Sequence, residues 1–329
     1  MRRLLLGIVA IILGSGVSAL AADKITVQLK WLHQAQFAGF YVAMDKGYYA
    51  AENLDVDFIP GGPKIDLVRA ITSGAADVGV LSPEDIIIRR SQGVPLKAIA
   101  AIYRRSAVVY LAVHASGIRS PRDFVGKTIA AAGHQGSVRD FEFQLDAMMK
   151  ALGIDPATIH KIPYDPEYKE FCNGGADVTA AYATGGLLKI RQMGYDPTII
   201  WPGDYRVRFY SDTLATTDQM IARRPDELLR FLRASLKGWE TAIGDPAGTI
   251  ETVMKYARVK DREIQTAMFD AMIPLVHTGE DRIGWMRPGD WHEMHRTLAE
   301  EGFIDNPIDP VDQLFTMQFL ERINQGNLK

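Results

Sequence analysis

The 329-residue chain lacks several features that would assign it to a common class of protein. Its single cysteine, Cys172, can form neither an internal disulfide nor a cysteine-based zinc cluster. The formal net charge of −3, from 37 basic and 40 acidic residues, does not provide the basic surface that a nucleic acid requires. No low-complexity stretch interrupts the sequence. These absences exclude a disulfide scaffold and argue against nucleic-acid partners.

Signatures of common catalytic sites are also missing. The chain contains no G-x-S-x-G elbow, Walker loop, H-E-x-x-H or GxGxxG motif. His292 and His295 lie three residues apart, so one helix face could present both, but no third metal ligand is apparent. A solvated helix is the favoured interpretation of this pair. We therefore expect no catalytic residue, no metal and no cofactor.

The N-terminus has the pattern of a secretory signal peptide. Arg2 and Arg3 precede an apolar run over 4–13, and Ala19-Leu20-Ala21 forms a small-x-small cleavage site. The run is shorter than the roughly 20 residues of a membrane span, although a retained anchor is the alternative. No cysteine follows the site, which excludes lipid attachment to a mature N-terminal Cys. We expect cleavage after about Ala21 and a periplasmic protein.

The remaining chain reads as two lobes of alternating strands and helices. Apolar residues make up 47% of the sequence, and a single core rarely grows beyond about 250–300 residues. Strands that alternate with helices predict parallel sheets built from right-handed βαβ units. The strand signals lie at 24–29, 54–59, 76–81, 96–103, 126–133 and 176–182.

A short sequence recurs 100 residues apart. Residues 74–78 read GAADV and residues 174–178 read GGADV, and each follows a helical pattern and enters a strand. Chance recurrence of a helix-terminating glycine and a turn aspartate is the simpler alternative. The matching surroundings favour two topologically similar lobes.

From Pro225 onward the pattern is almost wholly helical, with helices predicted at 226–243, 246–257, 261–273, 288–301 and 310–325. We therefore predict an α/β fold with two lobes around a central ligand cleft. The predicted divisions are a signal peptide at 1–21, the first part of lobe 1 at 22–112, lobe 2 at 113–205, and a helical return segment at 206–329 that completes lobe 1.

Ligands of open α/β sheets bind beyond the carboxyl ends of the strands. Four loops are expected there, at 31–41, 82–85, 133–137 and 182–186. Trp31 and Phe37 follow the first strand, where aromatic rings could stack on a flat ligand. Phe40, Tyr48 and Tyr49 are expected to be scaffold. Serines at helix starts are as consistent with capping as with ligand binding. The candidate ligand-binding residues are Trp31, Gln34, Phe37, Tyr41, Ser82, Glu84, His134, Ser137, Tyr182, Thr184, Tyr210 and Asp212.

Three segments carry a family resemblance: WLHQAQFAGFYVAMDKGYYAAENLDV, SGAADVGVLSPEDIIIRRSQGVP and DFVGKTIAAAG. They resemble the substrate-binding proteins of ABC transporters in the thiamine-pyrimidine-synthase-like group, whose relatives serve nitrate, sulfonate or taurine uptake. The resemblance implies a type II periplasmic binding fold and a monomer that delivers its solute to a membrane permease. It also implies a heteroaromatic ligand, a thiamine pyrimidine precursor such as formylaminopyrimidine or hydroxymethylpyrimidine.

The resemblance leaves alternatives open. A receptor for a sulfonate or nitrate would use His134, Ser137 and helix N-termini as donors, and a sensory partner of a membrane kinase would present its ligand. The same family contains an enzyme branch, thiamine pyrimidine synthases that hold pyridoxal phosphate on a lysine. Leu81 and Asp85 stand where that enzyme has its lysine and histidine, which opposes the enzyme. Gly185-Gly186 replaces an Asn-Glu pair of many relatives, which weakens the pyrimidine assignment.

Overall fold

In the computed structural model, which describes residues 21–133 and 139–326, ten strands form two five-stranded sheets. The first sheet contains β1 Asp23–Gln28, β2 Leu54–Ile59, β3 Val78–Leu81, β4 Leu96–Ala101 and β10 Thr213–Thr217. The second sheet contains β5 Val108–Val113, β6 Thr128–Ala132, β7 His160–Pro163, β8 Val178–Tyr182 and β9 Pro197–Ile200. We call each sheet, with the helices that pack on it, a lobe.

The two sheets have equivalent strand orders, β2-β1-β3-β10-β4 and β7-β6-β8-β5-β9. Within each order the first three strands are parallel, as predicted. The fourth strand, β10 or β5, runs antiparallel to both of its neighbours. The prediction of purely parallel sheets was therefore wrong at these strands. Each antiparallel strand enters its sheet directly after the chain has crossed from the other lobe.

The repeated five-residue sequence marks the same turn in both lobes. Asp77 accepts a hydrogen bond from the Thr26 backbone N–H at 2.8 Å, and Asp177 accepts one from the Thr128 backbone N–H at 2.9 Å. Each aspartate N–H also donates to the carbonyl of the same threonine. The side chain thus fastens the start of one strand to the strand beside it. This equivalence confirms that the repeat belongs to two topologically similar lobes.

The strand pairing differs from the predicted division at residue 112. β5 pairs with β8 and β9, so the chain leaves the first lobe between β4 and β5, before residue 108. Because the apolar run of β5 follows that of β4 closely, the sequence pattern does not indicate that the chain passes to the second lobe between them. The return to the first sheet lies between β9 and β10, and the predicted division at 205 falls within it.

Thirteen α-helices occupy the described part of the chain. The segment 38–51 contains two helices, which are divided at Gly47, whose φ of 70° is the left-handed conformation that favours glycine. The helices are α1 Ala38–Asp45, α2 Tyr48–Ala51, α3 Leu67–Thr72, α4 Pro83–Ser91, α5 Arg139–Ala151, α6 Lys169–Cys172, α7 Gly186–Gln192, α8 Asp218–Arg223, α9 Pro225–Gly244, α10 Pro246–Tyr256, α11 Arg262–Val276, α12 Pro288–Glu300 and α13 Gln318–Gly326.

The long helix α9 packs directly on α1, which carries the return segment onto the first lobe. The backbones approach so closely that a Cβ atom at Gly238 would lie 2.2 Å from the Gly39 carbonyl oxygen. Glycine at this position is therefore a packing requirement. Across residues 21–133 and 139–326, no helix has both the length and the apolar character needed to cross a membrane.

Candidate functional site

A cavity of about 390 Å³ lies where the loops of the two lobes meet. Its first-lobe wall follows β1 and includes the start of α11, and its second-lobe wall follows β7 and β8. This is the edge at which open α/β sheets bind ligands. The residues that line the cavity include Lys30, Trp31, His33, Gln34, Gln36, Phe141, Tyr164, Glu167, Tyr168, Tyr182, Thr184, Gly185, Gly186, Lys189, Asp261, Gln265 and Met268.

The innermost charged group at the cavity is Lys30, which is only 2% exposed. Its ammonium donates to Asp140 at 2.8 Å, to Ser82 at 3.1 Å and to the hydroxyl of Tyr182. Burial opposes the charged form, but the carboxylates of Asp140 and Asp212 hold the pKa of Lys30 above its usual value. Lys30 therefore remains an ammonium ion with all three donors engaged.

The carboxylates around Lys30 outnumber it. Asp140, Asp212 and Glu84 are all buried, and each has one oxygen without a hydrogen-bond partner among the described residues. Burial, followed by the nearby Asp140, raises the pKa of Glu84 to about 8. Burial raises the pKa of Asp212 to about 6. A buried group of three carboxylates and one ammonium ion favours retention of a proton by one of the acids.

This charged group joins the two lobes. Lys30 and Glu84 belong to the first lobe, whereas Asp140 and Gln144 lie on α5 of the second. Gln144 donates from its amide nitrogen to Glu84 Oε1 at 2.7 Å, so a second inter-lobe bond accompanies the Lys30–Asp140 pair. We call Lys30, Glu84, Asp140 and Asp212 the inter-lobe cluster. The cluster lies beside the cavity, and its buried contacts join the two lobes.

Aromatic side chains form much of the second-lobe wall. The Phe141 ring lies 4.8 Å from the ring of Tyr164 and 5.6 Å from that of Tyr182, measured between centroids. Tyr168 follows at 5.9 Å from Tyr164. Trp31 contributes an aromatic ring from the first lobe. Such a lining is suited to a flat, largely apolar ligand.

Glutamine amides supply the polar surface of the first-lobe wall. Gln34 donates to Gln36 Oε1 at 2.7 Å, and Gln36 donates to Asp212 Oδ2 at 2.7 Å. Gln265 accepts from the backbone N–H of Ala35 at 2.7 Å. The hydrogen bonds fix the orientation of these side chains before any ligand is present.

Several predicted site residues lie at the cavity or directly behind it. Trp31, Gln34, Tyr182 and Thr184 line it. Ser82, Glu84 and Asp212 belong to the layer behind it, in contact with or close to Lys30. Ser82 does not cap α4 with its side chain, since its hydroxyl accepts from Lys30. His134 and Ser137 lie outside the described residues.

Three predicted site residues are placed elsewhere. Phe37 is fully buried in the hydrophobic core of the first lobe. Tyr41 bonds His33 at 3.0 Å and stacks on Tyr256 with the ring centroids 4.7 Å apart. Tyr210 donates its hydroxyl hydrogen to Asp290 on α12. None of the three lines the cavity, because each ring is used in packing within the scaffold.

The paired histidines on α12 do not mark a metal site. His295 is buried and accepts a hydrogen bond from the Ile308 backbone N–H at 2.9 Å, while His292 bonds the Pro288 carbonyl oxygen. Within residues 21–133 and 139–326 no group of three or more His, Cys, Asp or Glu side chains is arranged to hold a metal ion.

Sequence reasoning missed Lys30, Asp140, Tyr164 and Tyr168. One available signal was the position of Lys30, directly before Trp31 and beyond the end of β1, where cleft residues are expected. Asp140 lies in the first turn of α5, where an acid is usually explained by the helix dipole. The two tyrosines follow β7, a strand that the sequence pattern did not reveal.

Comparison with known proteins agrees with this architecture. The riboflavin-binding protein RibY of Chloroflexus aurantiacus is 25% identical over 91% of this chain and 86% of its own length. The formylaminopyrimidine-binding protein of Halalkalibacterium halodurans is 24% identical over 88% of each chain. Among solved structures, the periplasmic aliphatic sulphonate binding protein SsuA from Escherichia coli aligns with a TM-score of 0.69. That alignment has 14% identity and covers 91% of this chain and 99% of SsuA, and so shows a shared fold.

The sequence pattern of one family extends over most of both lobes. The NMT1/THI5-like pattern matches residues 34–249, which include Gln34, Gln36, the second-lobe aromatic wall and helix α9. Lys30, Trp31 and Gln265 of the cavity wall lie outside the matched range. Because the match covers well over half of the sequence, the chain belongs to the NMT1/THI5-like family.

Proposed function

We propose that this protein is the solute receptor of an ABC importer and that it binds a small, neutral, flat heteroaromatic molecule in the inter-lobe cavity. A thiamine pyrimidine precursor of the formylaminopyrimidine or hydroxymethylpyrimidine type is the leading candidate. The observation that carries the proposal is the aromatic-lined cavity of about 390 Å³ between two lobes. Ligand sites for small molecules typically measure about 300–1,000 Å³.

The charges at the cavity favour a neutral ligand over an anion. Lys30 is fully engaged by Asp140, Ser82 and Tyr182. Lys189, the other lysine at the wall, donates to Glu167 at 2.7 Å and to the Pro166 carbonyl at 3.1 Å. A sulfonate or nitrate would have to displace a partner of Lys30, and at Lys189 it would share the ammonium with the Glu167 carboxylate, which opposes the anion alternative. Weak dependence of binding on salt is therefore expected.

The chain lacks a lysine suited to hold pyridoxal phosphate at the expected position, which opposes a synthase-like enzyme. Leu81, at the position expected for a lysine that holds pyridoxal phosphate, is a buried residue of β3. Lys30 does line the cavity, but an ammonium ion held by carboxylates is a poor nucleophile for a Schiff base. Adding pyridoxal phosphate and recording the absorbance checks this directly. An aldimine band would support the enzyme instead.

The same proposal includes location and partners. The sequence at 1–21 predicts export with cleavage after about Ala21, and a receptor of this type acts as a monomer that docks on permease subunits in the inner membrane. Mass spectrometry of the exported protein checks the cleavage site.

Riboflavin is a second candidate ligand. Phe141, Tyr164, Tyr168, Tyr182 and Trp31 together provide more aromatic surface than a single pyrimidine ring would cover. A relative that shares 25% of its sequence is named a riboflavin-binding protein. A three-ring ligand would use a larger part of the lining.

Titration calorimetry and thermal-shift measurements on the mature protein test the proposal. Formylaminopyrimidine, hydroxymethylpyrimidine and riboflavin are the probes, and ethanesulfonate and nitrate are the anionic controls. Saturable heat and a raised melting temperature with one heteroaromatic probe are expected. Binding of an anion alone, or of none of the five compounds, would reject the proposed function.

A further inference from the structure

The hydrogen-bonding capacity of the second-lobe wall is mostly used within the protein. The Tyr182 hydroxyl donates to Asp140 at 2.7 Å and accepts from Lys30 and from Ser211. Lys189 and Glu167 bond each other. The Tyr182 hydroxyl therefore has no hydrogen left for a ligand, whereas the Lys189 ammonium, which also donates to the Pro166 carbonyl, keeps one N–H.

The pair formed by Tyr164 and Tyr168 provides an uncharged donor. Their hydroxyl oxygens lie 3.0 Å apart, and neither hydroxyl has a further partner among residues 21–133 and 139–326. Burial raises the pKa of both phenols, so both keep their protons at any physiological pH. Two protons share one mutual hydrogen bond, which leaves one donor free at the cavity wall.

The surrounding backbone holds this hydroxyl pair in place. Tyr168 is only 3% exposed and has a φ of 58°, in the left-handed region. A Cβ atom at Gly186 would lie 1.8 Å from the Tyr168 hydroxyl oxygen, so the absence of a side chain at Gly186 makes the position of that hydroxyl possible. Tyr168 supplies the hydroxyl, and Gly186 leaves the space in which it lies.

The first-lobe wall offers the complementary group. The Gln34 amide nitrogen donates to Gln36, which fixes the amide, and the Gln34 Oε1 oxygen accepts no hydrogen bond from the described residues. Gln34 lines the same cavity as the tyrosine pair. The cavity therefore presents a fixed neutral acceptor from the first lobe and a neutral donor from the second.

We propose that Tyr164 and Tyr168 are specificity-determining residues that jointly donate one hydrogen bond to a ring nitrogen or ring carbonyl of the ligand, while Gln34 accepts from a ligand N–H. This inference rests on the proposed function and narrows it. The ligand class is a neutral nitrogen heterocycle that carries both an acceptor and an N–H group, as in an aminopyrimidine, a lactam or an imide. An aromatic ring without such groups leaves the donor unsatisfied.

The test compares Y164F, Y168F and the double variant with Y195F, which removes a second-lobe hydroxyl that is bonded to the Cys172 carbonyl and does not line the cavity. Affinity is measured by calorimetry for formylaminopyrimidine and riboflavin. Each single variant should keep affinity within about twofold, because the remaining hydroxyl still has a free proton. The double variant should lose roughly three- to tenfold, the usual effect of one neutral hydrogen bond.

The outcomes separate the two proposals. Wild-type affinity in the double variant would overturn the inference and leave the proposed function standing. Failure of the wild-type protein to bind any of the three heteroaromatic probes, formylaminopyrimidine, hydroxymethylpyrimidine and riboflavin, would reject the proposed function and, with it, this inference. Y195F should match the wild type.

The inter-lobe cluster supports a second inference, independent of the tyrosine pair. The inter-lobe cluster contains more buried carboxylates than ammonium ions, and its members come from both lobes. We infer that closing the cleft takes up one proton and that Glu84 holds it. Separation of the lobes would return the carboxylates to water, where Glu84 would ionise as an ordinary acid.

The charged surroundings of Glu84 support this assignment. Lys30 favours its ionisation, whereas burial and the Asp140 carboxylate oppose it more strongly and raise its pKa. On the other side, Asp85 faces Arg139 of α5 at 3.5 Å. The Tyr110 phenol on β5 stays neutral, since burial raises its pKa. His295 of α12, a helix that also packs on α4, is engaged by the Ile308 N–H.

The sign of the pH effect follows from the raised pKa. The closed state binds the proton more tightly than the open state, so closure is favoured at low pH. The equilibrium constant for closure falls, by at most tenfold per pH unit, as the pH rises from the ordinary pKa of a glutamate towards the raised pKa of Glu84 at about 8.

Small-angle X-ray scattering of the ligand-free mature protein at pH 6 and pH 9 tests this inference. The wild type should be more compact at pH 6, and E84Q should be compact at both values. E263Q, which removes an exposed carboxylate on α11, should follow the wild type. An equal radius of gyration at both pH values in the wild type, or an unchanged pH response in E84Q, would overturn it. The wild-type comparison stands by itself if E84Q fails to fold.

Discussion

The Lys30 ammonium lies 2.8 Å from the Asp140 carboxylate, and these two buried residues belong to different lobes. The contact joins a residue beyond the end of β1 to the first turn of α5. It therefore couples the geometry of the cavity to the contact between the lobes. A receptor that closes on its ligand requires such a coupling, because ligand affinity then depends on how readily the lobes meet.

Removing the Lys30 ammonium should destabilise the protein strongly. K30M leaves Asp140, Asp212 and Glu84 buried without their cation, and loss of one partner of a buried pair typically costs about 3–5 kcal/mol. The midpoint of urea unfolding at pH 8 measures the effect. K189M is the matched control, because the exposed Lys189–Glu167 pair should contribute at most about 1 kcal/mol. Equal losses in both variants would contradict a special role of the inter-lobe cluster.

Truncating Trp31 should weaken ligand binding at least tenfold. The ring lines the cavity from the first lobe, and loss of an aromatic stacking surface of this kind costs about 1.4 kcal/mol or more in affinity. Calorimetry of W31A with the heteroaromatic probe that binds the wild type measures the change. W285A removes a tryptophan from a separate surface groove and should leave affinity unchanged. An unaltered affinity in W31A would remove Trp31 from the site.

Adding one methyl group at Gly186 should disturb the tyrosine pair. A Cβ atom there would lie 1.8 Å from the Tyr168 hydroxyl, and overpacking of this kind costs about 1–3 kcal/mol. G186A should therefore lower both the melting temperature and ligand affinity. G185A, at the adjacent position, is the matched control, because its Cβ would meet only Met268, at an ordinary van der Waals distance of 3.9 Å. Equal behaviour of the two variants would show that Tyr168 moves aside without cost.

The parts of the fold that are encoded locally could be predicted from the sequence. β2 was predicted with its observed bounds because apolar and polar residues alternate along it. Tyr49 was predicted to be scaffold, and its ring stacks on Phe231 of α9, which confirms that prediction. The antiparallel direction of β5 and β10 was not predicted. The direction of a strand depends on where the chain crosses between lobes, and no local sequence pattern indicates that crossing.

The candidate site was less predictable for a related reason. Trp31 and Tyr182 line the cavity because one follows the carboxyl end of β1 and the other ends β8. Phe37 and Tyr41 follow Trp31 closely but turn inward, because the helix that begins there directs its rings into the core. Lys30 pairs with Asp140, which lies 110 residues later in the chain. A contact of that separation is set by the meeting of two lobes and not by neighbouring residues.

The repeated aspartates offer a test of the equivalence between the lobes. Asp77 and Asp177 each accept from a backbone N–H of the neighbouring strand, and loss of such an acceptor typically costs about 1–3 kcal/mol. D77A and D177A should therefore both lower the midpoint of urea unfolding. D77A should have the larger effect, because Asp77 also bonds Arg224 at 2.7 Å. D55A, which removes an exposed carboxylate from β2, is the control and should stay within about 0.5 kcal/mol of the wild type. A loss in D77A alone would show that the second-lobe turn does not need its aspartate, since the Asp177 backbone bond to the Thr128 carbonyl would then suffice.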